Sequence, residues 1–296
     1  STAQVRIDDA WWAANYDPVT FALLSQMQRY EGELNFVEEG AKRSIHSLAL
    51  QDQYRLNDHL ELTAGLRYDN YSDVGDNFSP RLAAVWRMTE GHILKLQYAE
   101  AFFPPNLAQV YGSITGFDYP TDPETIATTE LGYIFRHADL VARATLFYSE
   151  LEDLIVFGSA GFANQGQVRL QGIETEWEQR LGRDWKIAAN LSYTDTLDKQ
   201  SDGHLPGAAD WLGNLSLSYR LSHGLLLTGR WCHVGERHRA AGDPRQDMLE
   251  GYDDISLNIN WFDAGTPGLT LRAGVGNLLG EEIKSPAPAY TYLEDY

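Results

Sequence analysis

The chain has 296 residues, 43% of them hydrophobic, with a mean hydropathy of −0.37 and a formal charge of −19. No apolar run approaches the roughly 18 residues of a spanning helix, so a helical anchor is excluded; a β-barrel, whose lipid face takes only alternate positions, is not. The acidity argues against a nucleic-acid partner, which needs Lys and Arg in excess. The single cysteine, Cys232, permits neither an internal disulfide nor a zinc cage.

Residues 1–43 carry little periodicity but hold Trp11, Trp12, Tyr16, Phe21 and Tyr30 among acidic and small residues, and they read as a long loop. From Ser44 a period of two sets in, and it predicts about twelve strands near 44–56, 59–70, 79–88, 92–102, 125–135, 139–151, 164–181, 184–196, 208–221, 224–237, 250–262 and 268–279. In the second, Leu60, Leu62, Ala64, Leu66 and Tyr68 share one face, and Glu61, Thr63, Gly65, Arg67 and Asp69 share the other. Trp185 to Tyr193 and Asp254 to Trp261 alternate as cleanly. Leu191, Leu217 and Leu257 extend the apolar set, while Cys232 falls with Thr228 and Arg230 on a wet face.

The connections decide between a soluble sandwich and a barrel. Tight turns at 57–58, 89–91, His137, 182–183, 222–223 and 263–267 alternate with longer joins at 71–78, 103–124, 152–163, 197–207 and 238–249. A meander with tight turns at one rim and long loops at the other is the layout of an outer-membrane barrel. Greek-key sandwiches have no reason to keep that order, and their strands are shorter than the 9–11 residues that cross the apolar layer. The expectation is an all-β, antiparallel up-and-down transmembrane β-barrel.

Five segments then carry a resemblance. Leu-Arg-Tyr-Asp-Asn-Tyr-Ser-Asp (66–73), Ser-Pro-Arg-Leu (79–82), Tyr-Ala-Glu-Ala-Phe-Phe-Pro-Pro-Asn-Leu (98–107), Gln-Gly-Ile-Glu-Thr-Glu (171–176) and Gly-Val-Gly-Asn-Leu-Leu (274–279) resemble the recurring barrel motifs of TonB-dependent outer-membrane receptors. That resemblance implies a 22-stranded parent barrel filled by an amino-terminal plug. It also implies a bacterial outer-membrane location, import of a siderophore, cobalamin or similar scarce nutrient, and energy delivered by TonB. No plug or TonB-contacting box is legible, and only about half the strands are present. The chain is therefore expected to be a carboxyl-terminal part of a receptor, with 1–43 mainly extracellular loop, 44–279 strands and 280–296 the last extracellular loop. TonB would act through the missing amino-terminal region. Outer-membrane lipid and lipopolysaccharide would surround the wall. The competing readings are a passive porin and a soluble all-β binding protein or enzyme.

Catalytic patterns are absent. His233, Glu236 and His238 sit one residue off an inverted zinc-protease spacing, on a strand end instead of a helix, and read as polar residues where a strand leaves the membrane. No metal site, cofactor or enzymatic activity is expected. Asp69, Asp73 and Asp76 lack calcium-loop spacing and read as a solvated turn. Lumen-facing Arg67, Arg81, Arg87 and Arg143 opposite Glu61, Glu130, Glu174 and Glu176 read as wall salt bridges. The ligand would be a small-molecule metal chelate or cofactor, gripped where exposed rings stand beside polar groups. The candidates are Trp11, Trp12, Tyr16, Tyr111, Phe117, Tyr119, His204, Arg237 and His238.

Overall fold

A computed structural model describes residues 42–110, 122–158, 161–221, 224–240, 243, 245 and 248–285. Among these, twelve strands form one antiparallel sheet in the order β1 to β10, then β13 and β14. They are β1 (Ile45–Arg55), β2 (Leu60–Tyr71), β3 (Gly75–Thr89), β4 (His92–Phe103), β5 (Glu124–His137), β6 (Leu140–Gly158), β7 (Gly161–Leu181), β8 (Trp185–Asp198), β9 (Trp211–Arg220), β10 (Leu225–Val234), β13 (Tyr252–Trp261) and β14 (Leu271–Val275). Every neighbour in sequence is the neighbour in space, which is the expected meander.

Two small elements lie outside the expected set. One is a helical turn, α1 (Leu107–Val110), entered through Pro104 and the fully buried Pro105. Asn106 Oδ1 accepts from the Gln109 amide while Gln109 Oε1 accepts from the Asn106 amide, a reciprocal cap that starts the turn. The other is a two-stranded ribbon, β11 (Arg237–His238) with β12 (Met248–Leu249), which stands off the main sheet.

The register explains the two faces. Leu62, Ala84, Leu96, Leu131, Leu146, Ile173, Tyr193 and Trp211 are successive cross-strand partners, an apolar row running unbroken from β2 to β9. Most of its side chains are exposed, and so are Leu66, Leu191, Leu217 and Leu257. The opposite face carries Arg143, Glu176, Asn190, Asn214, Cys232 and Asp254 as consecutive partners, a polar row. Packing on a soluble core would bury the first row; lipid leaves it uncovered by protein. Aromatic pairs bound the apolar band. Trp185 stacks on Tyr219 at 4.2 Å near the tight turns, and Tyr193 meets Trp211 at 4.8 Å near the other rim. Eight residues separate Trp185 from Tyr193, about 26 Å along a strand or roughly 20 Å of height at a 40° tilt. These are the two interfacial girdles of a membrane wall.

Two of the expected long loops are not loops. The join expected at 71–78 shrinks to 72–74, because β2 and β3 keep pairing to Tyr71 and Gly75. That expected at 152–163 is a hairpin that pairs out to Gly158 and Gly161, through register shifts between Leu151 and Ile155. With 19 and 21 residues, β6 and β7 are about twice the length needed to cross lipid, so their ends project beyond it. The extra chain at that rim is real, but part of it is strand. Strands also end earlier than expected at Val234 and Val275, and β9 begins only at Trp211.

Among the described residues, two of the expected wall salt bridges form. Arg143 meets Glu176 at 2.6 Å and Arg87 meets Glu61 at 3.5 Å, while Glu130 accepts from Gln97. Arg67 departs from the expected set and bonds Asp69 at 2.6 Å. The acidic run is not a solvated turn: Asp69 is fully buried, bonded to Arg67 and Ser47, and Asp73 is clamped by Arg43 at 2.9 Å. Asp76 instead accepts from Asn70, so the three carboxylates do not converge on a cation. Among the described residues β1 and β14 each pair on one side, and backbone groups along their other edges need partners in lipid.

Candidate functional site

The site is assembled at the rim opposite the tight turns, where β8, its connection to β9, and β11 come together. The connection folds back on its own strand: the Asp198 amide donates to Gly203 O at 2.8 Å, and the Leu205 amide donates to Oγ1 of the buried Thr196 at 3.0 Å. Asp198 also accepts from the Gln200 amide and Ser201 Oγ, which closes the turn. Further on, the chain runs beside β11. The Gly207 amide donates to His238 O at 2.7 Å and the His238 amide to Ala208 O at 3.1 Å. These bonds bring His204 over His238.

The two imidazoles stack with ring centroids 3.9 Å apart and planes 9° from parallel. Asp210, one residue before β9, places Oδ1 3.2 Å from His238 Nε2, and Asp195 on β8 places Oδ1 4.0 Å from His204 Nδ1. One ligand atom from each of His204, Asp210 and His238 lies within 4.8 Å of the others. Among the described residues these three side chains could converge on a metal ion. The group shares only His238 with the His233, Glu236 and His238 spacing read from the sequence. His233 lies elsewhere, its Nδ1 2.9 Å from Asp253, so the neighbouring histidines serve different places.

Arg237 has another task. Its guanidinium donates to Lys284 O at 2.6 Å and Glu250 O at 3.3 Å and lies over the Tyr252 ring at 5.4 Å, with the residue 9% exposed. It ties β11 to the approach of β13 and to the segment after β14. Of the nine expected ligand residues, His204, Arg237 and His238 are thus gathered at one rim. Trp11, Trp12, Tyr16, Tyr111, Phe117 and Tyr119 lie outside the described residues. Asp210 and Asp195 were not singled out by sequence, since an isolated Asp beside a strand carries no local signal. Nearby, Arg245 hydrogen bonds hold the Asp243 carboxyl well below its usual range, at about 2.

With a lipid-facing wall, a polar inner face and a built outer rim in place, comparison with known proteins becomes decisive. Residues 4–278 match the family described as TonB dependent receptor-like, beta-barrel. The chain belongs to that family. Its members are outer-membrane proteins, and this location holds for the present chain. The chain is 29% identical to the ferric enterobactin receptor PirA of Pseudomonas aeruginosa, over 82% of this chain and 38% of that protein. It is 23% identical to the ferrienterobactin receptor of Escherichia coli, over 86% and 41%. A solved structure of a mutant ferric enterobactin receptor of P. aeruginosa in complex with enterobactin superposes with a TM-score of 0.70 at 25% identity, covering 80% of this chain and 40% of that one. The chain therefore spans about two fifths of the length of these TonB-dependent receptors.

Proposed function

We propose that this chain supplies part of the wall and mouth of a TonB-dependent receptor that takes up a ferric siderophore across the outer membrane. The family match over residues 4–278 carries the reading, and the relatives whose names specify ferric enterobactin favour an iron chelate over cobalamin. The wall's chemistry supports it: the exposed Leu62 to Trp211 row faces lipid, and the Arg143 to Asp254 row offers hydrogen bonds to a polar cargo. Recognition is assigned to the outer rim around His204, with Trp11, Trp12, Tyr16, Tyr111, Phe117 and Tyr119 as further candidate ligand contacts, and no catalytic step is assigned to the chain.

The test is uptake of ⁵⁵Fe-enterobactin by cells that lack their own siderophore receptors and express, in the outer membrane, the full receptor to which this chain belongs. Uptake that disappears on deletion of TonB is the expected result. A correctly inserted protein that takes up no ferric siderophore would overturn the assignment, and TonB-independent uptake would favour a passive pore.

A further inference from the structure

We propose that His204, Asp210 and His238 form a binding site for a first-row divalent cation of zinc-like character, which staples the β8–β9 connection to β11. The donor set carries the argument. Two imidazoles and one carboxylate are borderline ligands suited to zinc and its neighbours, not to magnesium or calcium, which prefer all-oxygen sites. Tetrahedral coordination at bond lengths of about 2.1 Å needs donors about 3.4 Å apart. The pair His238 Nε2 and Asp210 Oδ1 already stands at 3.2 Å.

His204 supplies the third donor by a modest rotation out of the stack, and its side chain, 42% exposed, has room to turn. Its Nδ1 lies 4.0 Å from Asp195 Oδ1, so a rotation that closes this distance to a hydrogen bond would leave Nε2 for the metal. A carboxylate behind a ligating imidazole in this way orients the ring and raises its basicity. Asp210 supplies a negative charge against the dication, while Asp195 behind His204 is shared with Arg169 at 3.6 Å and Gln171 at 2.9 Å. The adjacent guanidinium of Arg237 is committed to the Lys284 and Glu250 carbonyls.

The backbone around the donors is already tied down. His204 follows the Asp198–Gly203 bridge, and His238 is bonded through both its amide and its carbonyl to 207–208. Three protein donors leave a fourth position for water. The cation would fix the relative position of two outer connections, which a receptor mouth requires to hold a shape. This inference does not depend on what the receptor imports.

The experiment is calorimetric titration of ZnCl₂ into the full receptor containing this chain, purified from outer membranes in detergent and stripped with EDTA, without siderophore. One equivalent of zinc is expected, with no competition from a large excess of Mg²⁺. His204→Ala and His238→Ala should each weaken it at least tenfold, and Asp210→Asn should weaken it as well. His233→Ala, at the separate Asp253 pair, should leave it unchanged. Heat-modifiable migration establishes that each variant is folded. As a second readout, zinc should slow protease cleavage within 199–207 in the parent but not in the His204→Ala/His238→Ala double variant. Equal zinc binding by the parent and that double variant, displacement by Mg²⁺, or loss on His233→Ala would overturn the proposal.

Discussion

Arginine placed at two adjacent positions of β6 separates a lipid-facing wall from any soluble alternative. Leu146 lies in the middle of the apolar row between Leu131 and Ile173, six residues from the turn at Leu140, and is 52% exposed. On a leucine surface of roughly 180 Å² that exposure is about 90 Å² facing hydrocarbon, so losing its burial in lipid forfeits about 2 kcal/mol at 25 cal/mol per Å². The charge adds its own cost, and the whole change at mid-membrane depth comes to about 2–4 kcal/mol. Thr145, one residue away, points to the polar face between Gly132 and Glu174. A guanidinium there finds space over the glycine and a carboxylate beside it, so Thr145→Arg should cost under about 1 kcal/mol. The assay is reversible urea unfolding in lipid vesicles, followed by tryptophan fluorescence. Equal cost at the two positions, or Leu146→Arg tolerated like a surface change, would refute the lipid-facing assignment of the row.

Four further changes probe other parts of the argument. A Cβ on Gly172 would stand 2.0 Å from Tyr193 O and 2.8 Å from the Phe147 ring, so Gly172→Ala should force β7 and β8 apart and cost about 1–3 kcal/mol in the same unfolding assay. Ala138 holds φ at 46° in the two-residue turn between His137 and Leu140, and Ala138→Gly should raise the unfolding midpoint by an amount worth about 0.5–1 kcal/mol. In a Cys232→Ser background, a membrane-impermeant thiol reagent on intact cells should label Asp202→Cys but not Arg183→Cys; the reverse pattern would invert the topology. The Asp243 carboxyl, lowered by Arg245, supports its segment above the usual carboxylate range near pH 4, and that support is lost as pH falls through about 2. Pepsin should therefore cut 238–249 increasingly between about pH 4 and 2, whereas Arg245→Ala should already be cut at pH 4.

Alternation along a strand is a local property, so the sequence by itself determined the strands, their two faces and the rim that carries the tight turns. Leu62 and Glu61 had to face opposite ways whatever the neighbours, and the Cys232 side chain had to share a wall with Arg230. Five motifs were enough to mark the family. The tertiary structure decided what depends on register and on backbone closure. Only pairing places Leu62 in one row with Trp211, or shows that β6 and β7 continue far past the membrane instead of looping. Asp69 looked like a turn carboxylate because it heads the run Asp69, Asp73 and Asp76, yet the Ser47 partner on β1 and its own Arg67 hold it buried. The His204, Asp210 and His238 group was invisible for the same reason. His204 and Asp210 lie six residues apart on one irregular connection and His238 lies on another segment, and they meet only because the Gly207 and Ala208 backbone bonds lay that connection along β11.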